Sequence, residues 1–291
     1  GSTVTDALPV HVVGAGRAGV GIALALARAG RTVALHSRRF PAIRIPGVAC
    51  LPEDAPRTRP GDAFVILAVP DRAIAGVAAA MAVRWRFTDG DRVGHLSGAQ
   101  PSTVLADAGV PRAACFSAHP LHPFAPAEPA SPMPQGTFVM VEGAGPAAAD
   151  AMALFRQAGA TVAPIAADRK PLCHAAAVLA SNLPAALLLA ATRALDDAGV
   201  PDPPAAAARL ASGLLANWVA RPDPRALTGP VARGDAATVA ANLRALDARP
   251  TARAAYRDLS LLLAGELHAA GVLDEEGWNA VIQALETPSD R

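Results

Sequence analysis

Cysteine, tyrosine and runs of like charge are what this sequence has least of. Only three cysteines occur in 291 residues, Cys50, Cys115 and Cys173, and no two share a CxxC spacing. That excludes a disulfide framework and a cysteine-ligated zinc site, so no metal is expected and a reducing, cytoplasmic setting fits. The 26 basic and 25 acidic side chains leave a net charge of +1 and form no basic stretch, so neither a nucleic acid nor a membrane surface is an expected partner. No run of ~18 apolar residues escapes interruption by a charge or turn former, and the start, GSTVTDALP, has no positive segment leading into an apolar one. A soluble protein acting on a small molecule is the remaining expectation. A hydrophobic content of 52% over this length is ample for two domains.

What is present first is alternation. PVHVVG (9–14) is a short apolar run ending in Gly, GAGRAGVGIALALARAG is a helical pattern closed by Gly30, and RTVALHSRR is a second β-branched run. Further strands are expected at 61–70, 91–98, 113–120, 137–143 and 160–166, with helices between several of them. Strands alternating with helices predict an α/β fold, a doubly wound and mainly parallel sheet. From about residue 168 the strand pattern stops and helices are expected over 169–197, 204–219, 235–247, 251–270 and 274–286. The expected organisation is an α/β domain over 8–167 followed by an all-α domain over 168–291.

The most specific motif is Gly14-Ala15-Gly16-Arg17-Ala18-Gly19, a GxGxxG set between a strand and the helix it opens. Gly14 permits a tight turn, Gly16 lets the backbone approach a pyrophosphate, and Gly19 lets the helix pack close to the strand. The helix start adds amide donors and the positive end of its dipole. The N-terminal domain therefore reads as a Rossmann dinucleotide-binding domain. The second strand ends in Ser37, Arg38 and Arg39, where a site for NAD usually has a carboxylate on the ribose 2′-hydroxyl. A hydroxyl with two guanidiniums suits a 2′-phosphate instead, so NADP(H) is the expected cofactor.

A second stretch is less typical. KPLCHAAAVLASN (170–182) reads as helix, yet Lys170, His174, Ala177 and Ser181 fall within roughly 60° on a helical wheel, with Asn182 on the shoulder. That polar stripe faces either bulk water or a cleft. Pro171 puts Lys170 at a helix start, and Pro184 is expected to kink or break the helix near Ser181 and Asn182. Farther on, RPDPRALTGPVARGD (221–235) is a long, Pro- and Gly-rich loop.

ILAVPDRAI, GHLSGAQP, SAHPLHPF, KPLCHAAAVLASN and ALTGPVARGD together resemble a Rossmann-like family whose C-terminal helical half is a domain of unknown function (2520 type). That family is related to pyrroline-5-carboxylate reductase, ketopantoate reductase and the β-hydroxyacid dehydrogenases. The resemblance runs from about residue 9 to 286. It implies an NADP-binding domain, a helical domain packed over the cofactor, and a homodimer formed through the helices. It places Ala68, Val69, Pro70 and Asp71 along the cofactor, with Ser97 and Gly98 near the nicotinamide. His119, and with less support His122, would face the same crevice. The polar stripe would then line the cleft, with Ser181 toward substrate and the Asn182 amide aimed into the site by the kink.

Hydride transfer to a C=O or C=N bond needs a proton donor beside the heteroatom. His174 is favoured for that over Lys170, because an imidazole titrates near ~6.5 whereas a lysine needs its pKa lowered. Thr228, Arg233 and Asp235 could close the site, Arg233 holding a substrate carboxylate or only pairing with Asp235. The resulting expectation is an NADP(H)-dependent reductase of a small polar keto acid or imine. The alternatives are a dehydrogenase working oxidatively and a non-catalytic NADP-binding regulator acting through its helical domain.

Overall fold

The computed structural model describes residues 8–40, 42, 44–58, 61–125 and 131–287. The chain divides into two compact units, Gly1–Ser181 and Asn182–Arg291. The first holds one eight-stranded sheet: β1 (Val10–Val13), β2 (Val33–Ser37), β3 (Ala49–Pro52), β4 (Phe64–Leu67), β5 (Arg92–His95), β6 (Cys115–Pro120), β7 (Phe138–Gly143) and β8 (Thr161–Pro164). Their order is β3-β2-β1-β4-β5-β6-β7-β8, and every pair is parallel except β6 with β7. β1 (VHVV) and β4 (FVIL) are buried at every position, as central parallel strands covered on both faces must be. Their in-register pairing, Val12 opposite Ile66, sets the centre of the sheet. Strand order reverses between β1 and β4, the switch point at which open α/β sheets collect ligands beyond their strand ends.

Helices α1 (Arg17–Arg28), α2 (Ile74–Trp85), α3 (Thr103–Asp107), α4 (Pro146–Gln157) and α5 (Lys170–Ala180) complete this unit. One core, with Val12, Ile66 and Phe116 from the sheet, takes Ile22 and Leu26 of α1 and Leu154 and Phe155 of α4. The other, with Val65, Leu67 and Val93, takes Ile74 and Met81 of α2 and Leu105 of α3. The expected strands are present. β3 and α3 were not expected, each being short and without a clear period.

The second unit is helical: α6 (Asn182–Asp197), α7 (Pro203–Ala220), α8 (Ala236–Ala245), α9 (Pro250–Ala269) and α10 (Glu275–Glu286). Its core is Val239 and Leu243 of α8, Ala264 and Leu267 of α9, and Val281 and Leu285 of α10, with Val231 and Leu273 from the connections. Asp235 and Asp274 cap α8 and α10 by accepting the amides of Thr238 and Gly277.

The strand pattern ends at residue 167, but the compact units divide after Ser181, so α5 goes with the sheet. The expected break is present: α5 stops at Ala180, Ser181 leaves helical geometry at φ −131°, ψ −62°, and α6 begins at Asn182 with Pro184 in its first turn. There the proline's missing N–H costs nothing. By length and composition the stretch Ala167–Asp197 would be long and apolar enough to cross a membrane, with a mean hydropathy of 1.7. Requiring an uninterrupted apolar run had passed over it. Its first residues are nevertheless tied to the sheet through Lys170.

Candidate functional site

The glycines of the first motif do the work expected of them. Gly14 has φ +109°, and a Cβ there would lie 2.4 Å from the Ala68 carbonyl oxygen. A Cβ on Gly19 would lie 2.0 Å from the Gly14 carbonyl oxygen, so only glycine lets α1 sit this close to β1. Gly16 differs, because nothing lies within 4 Å of its would-be Cβ. Its Cα faces open space at the start of α1, where no side chain caps the helix. A pyrophosphate can approach there to the uncapped amides, so the residues present fit a dinucleotide.

A cleft of about 430 Å³ opens at this point. Gly14, Gly16, Arg17, Ser37, Arg38, Arg39, Ala68, Val69 and Pro70 all line it, as anticipated from sequence. Ala18 is half-buried and Gly19 buried in α1, close by without lining it. Ser37 Oγ accepts the Arg39 amide at 3.0 Å, and Arg39 Nη2 donates to the Ala15 carbonyl, which fixes the end of β2 beside the glycine turn. Three lining residues were missed, Ala15, His36 and Glu53. Glu53, just past β3, lies 3.9 Å from Arg38, and its strand carried no recognisable signal.

At the neighbouring end of β5 the parallel ladder to β6 stops at His95 opposite Ser117. The carbonyls beyond it are taken by side chains. Leu96 O accepts from His119 Nδ1 at 3.1 Å, and Ser97 O accepts from Lys170 Nζ at 3.0 Å. With its Nδ1 proton so engaged, a neutral His119 presents the Nε2 lone pair, and that atom points at Gly98. A Cβ on Gly98 would lie 2.8 Å from His119 Nε2 and 2.4 Å from His174 Nδ1. The two rings stand edge to face, 5.4 Å apart. His174 Nδ1 is buried and has no hydrogen-bond partner. Two imidazole nitrogens thus converge on Gly98, a position without a side chain. Burial holds His119 below the usual histidine range, and the nearby His174 and Lys170 push the same way against the Leu96 hydrogen bond and Asp71.

The other expected site residues are placed differently. Ser97 is buried and its hydroxyl is engaged: Oγ donates to Asp71 Oδ2 at 2.7 Å and accepts the amides of Ala99 and Gln100. Lys170 is 1% exposed, and Nζ also donates to Ser117 Oγ at 2.8 Å. The helix stripe is therefore turned inward at Lys170 and His174, not toward bulk water, while Leu172 and Leu179 of α5 are exposed. Ser181 donates its hydroxyl back to Ala177 O at 2.8 Å, a bond within the helix. His122 lies away from Gly98, edge-on to Phe124 at 4.8 Å, in a cleft it lines with Gly16, Arg17 and Arg39. Asn182, Thr228 and Arg233 are exposed residues of the helical unit. Asp235 is occupied with Thr238, whose amide and hydroxyl it accepts, and Arg233 adds only a weaker charge effect. Among the described residues no group of three or more His, Cys, Asp or Glu could hold a metal.

Two family models match the chain. Residues 2–120 match a Rossmann-like domain, and residues 137–262 match a domain of unknown function, DUF2520. The chain therefore carries a Rossmann-like domain followed by a DUF2520 domain. The latter match begins at β7, so it takes in the last two strands of the sheet as well as helices. No curated protein matches the sequence. Among solved structures, a candidate NADP oxidoreductase from Bacteroides fragilis is 20% identical over 90% of this chain and 99% of that one, with a TM-score of 0.73. A Thermotoga maritima protein is 25% identical over 89% and 98%, with a TM-score of 0.68. The pyrroline carboxylate reductase of Plasmodium falciparum, solved with NADP bound, is 10% identical over 90% and 98%, with a TM-score of 0.59. The fold shared with these structures is of the Rossmann type.

Proposed function

We propose that the protein is an NADP(H)-dependent reductase of a small polar substrate bearing a C=O or C=N bond, such as a keto acid or an imine. The observation that carries this reading is the convergence of His119 Nε2 and His174 Nδ1 on Gly98, at the same sheet edge as the dinucleotide cradle. Gly14, Gly16 and the start of α1 would hold the pyrophosphate, and Ser37, Arg38 and Arg39 the adenosine end. Bound NADPH supplies the hydride. His174 donates a proton to the substrate heteroatom as its carbon is reduced, and takes another from water afterwards. His119, kept neutral by burial, accepts a hydrogen bond or, in the oxidative direction, a proton from a hydroxyl or amine. Ser181, Asn182, Thr228 and Arg233 remain candidates for substrate contact.

The preference for NADP(H) rests on three guanidiniums against one carboxylate in the cleft. Glu53 supports a second reading, NAD(H), since a carboxylate there could accept from a ribose 2′-hydroxyl. A homodimer through the helical unit is supported by the exposed apolar faces of α6 and α7, a second copy being the surface that matches them. A cytoplasmic setting accords with the three free cysteines.

The test is to mix purified protein and NADPH with a panel of keto acids and cyclic imines and follow loss of nicotinamide absorbance. Turnover of at least one member supports the reading. Tight NADPH binding with no turnover of any carbonyl, imine or acid favours a non-catalytic NADP-binding regulator.

A further inference from the structure

We infer that Lys170 is a positioning residue, whose buried ammonium fixes the turn after β5 and the histidine pair beside it, and is not itself a proton donor to substrate. The inference rests on the reading that the histidine pair beside Gly98 is the reaction site. An ammonium 1% exposed, with hydrogen bonds of 3.0 and 2.8 Å to Ser97 O and Ser117 Oγ, is committed to protein acceptors. Those acceptors lie where the β5–β6 ladder ends, so the lysine takes over from the sheet in holding two strand ends together.

The same segment is held at its other end. Ser117 faces Glu142 across the β6–β7 register, and Glu142 accepts the Ser102 amide at 2.6 Å and the Ser102 hydroxyl at 3.0 Å. The turn from Ser97 to Ser102 is thus clamped by a cation at its first residue and a carboxylate at its last. Asp71 holds the Ser97 hydroxyl between them. Because His119 bonds the carbonyl of Leu96 and Lys170 that of Ser97, adjacent peptide units carry both, and freeing one loosens the other. Gly98, the next residue, has its place set by the same pair.

The lysine also acts through charge. It shares this region with the carboxylates of Asp71 and Glu142, with Cys173 and His174 on its own helix, and with His119 and His95 on the strands. Its cation opposes proton uptake by His119 and His95, whereas Asp71 favours it at both and Glu142 at His95. Removing the cation takes away one of the effects that oppose the carboxylates, leaving burial and, at His119, the neighbouring His174.

The test uses the full chain labelled with ¹⁵N in its histidine rings, without substrate. In Lys170→Met, His119 should lose its single Nδ1–H tautomer and its titration midpoint should rise. NADPH affinity should stay within about threefold, since the lysine does not line the cofactor cleft. Lys170→Arg, which keeps the cation, should restore most of the midpoint. A folded Lys170→Met protein whose His119 tautomer and midpoint match those of the unaltered chain would overturn the inference. If that variant does not fold, Ser117→Ala removes one acceptor from the ammonium and should move both signals the same way by less; no movement overturns it equally. The ring signals need no turnover, so this inference and the proposed reductase activity fail by different measurements.

Discussion

The sheet unit hides its apolar residues, whereas the helical unit displays many of its own. β1, β2 and β4 are buried at every position. α6 has no buried residue and α7 only Ala207, while Leu210, Leu215 and Val219 are 72%, 62% and 83% exposed, beside a half-exposed Trp218. Most helical stability in proteins comes from packing an apolar face, so an Ala- and Leu-rich helix pair without a covering surface is incomplete. The difference teaches that the sheet unit is specified by its own core, whereas the apolar faces of α6 and α7 have no covering surface among the described residues. Titratable groups are divided in the same way. Six of the seven histidines belong to the sheet unit, and only His268 to the helical one.

The largest expected effect follows from the chemistry assigned to the sheet unit. With a substrate in hand, His174→Ala should lower kcat by about 10²–10⁴-fold and leave NADPH affinity nearly unchanged, because a general acid acts in the transition state. Steady-state rates beside fluorescence titration of NADPH check both halves.

Paired substitutions then sharpen the contrast in burial. Leu35→Ala, in the fully buried β2, should cost about 2–5 kcal/mol in denaturant unfolding. Leu214→Glu, on the exposed face of α7, should change unfolding at low protein concentration by less than about 0.5 kcal/mol. It should, however, convert a dimer to a monomer in light scattering. A protein that is monomeric before substitution breaks this half of the comparison.

Cofactor choice should respond more modestly. Arg39→Ala should remove most of the preference for NADPH over NADH, weakening NADPH by roughly 1.5–3 kcal/mol as a charge-assisted contact to phosphate is lost. Equal affinities in the unaltered chain would instead give Glu53 the decisive part.

The smallest effect concerns acid. His11 and His95 are pushed down to about 4, chiefly by burial, and His11 Nδ1 lies 2.9 Å from His36 Nε2. An unfolded chain takes up these protons near pH ~6.5 while the folded one refuses them until about 4, so stability falls as pH drops through that window. His11→Gln should lower the midpoint of acid unfolding by about half a pH unit, read by circular dichroism. An unmoved midpoint would place the acid sensitivity elsewhere.

What could be read in the sequence tracks how local the physics is. The central strands announce themselves as continuous apolar runs, and the cradle as glycines whose spacing only close backbone approach explains. The break at Ser181 follows from Pro184 alone. β3 and Glu53 were illegible because a four-residue edge strand has no period to detect. The convergence on Gly98 was half legible. His119 and His174 were named, but their nearness depends on packing between β6 and α5, which no spacing encodes. Lys170 was named as part of a stripe facing inward, which its burial matches, but that its ammonium is taken up by Ser97 O and Ser117 Oγ depends on the sheet edge beneath it, which no spacing encodes. Ser97 was named from its motif, yet that its hydroxyl is consumed by Asp71 and two amides was not legible there.

The central claim is that hydride transfer occurs at Gly98, between the two histidines, and a crystal structure with NADP⁺ tests it most directly. The account predicts the nicotinamide ring over Gly98, with C4 within roughly 5 Å of both His119 Nε2 and His174 Nδ1, close enough for a substrate atom to bridge. A nicotinamide directed away from Gly98, with the two imidazoles sealed by protein, would contradict it.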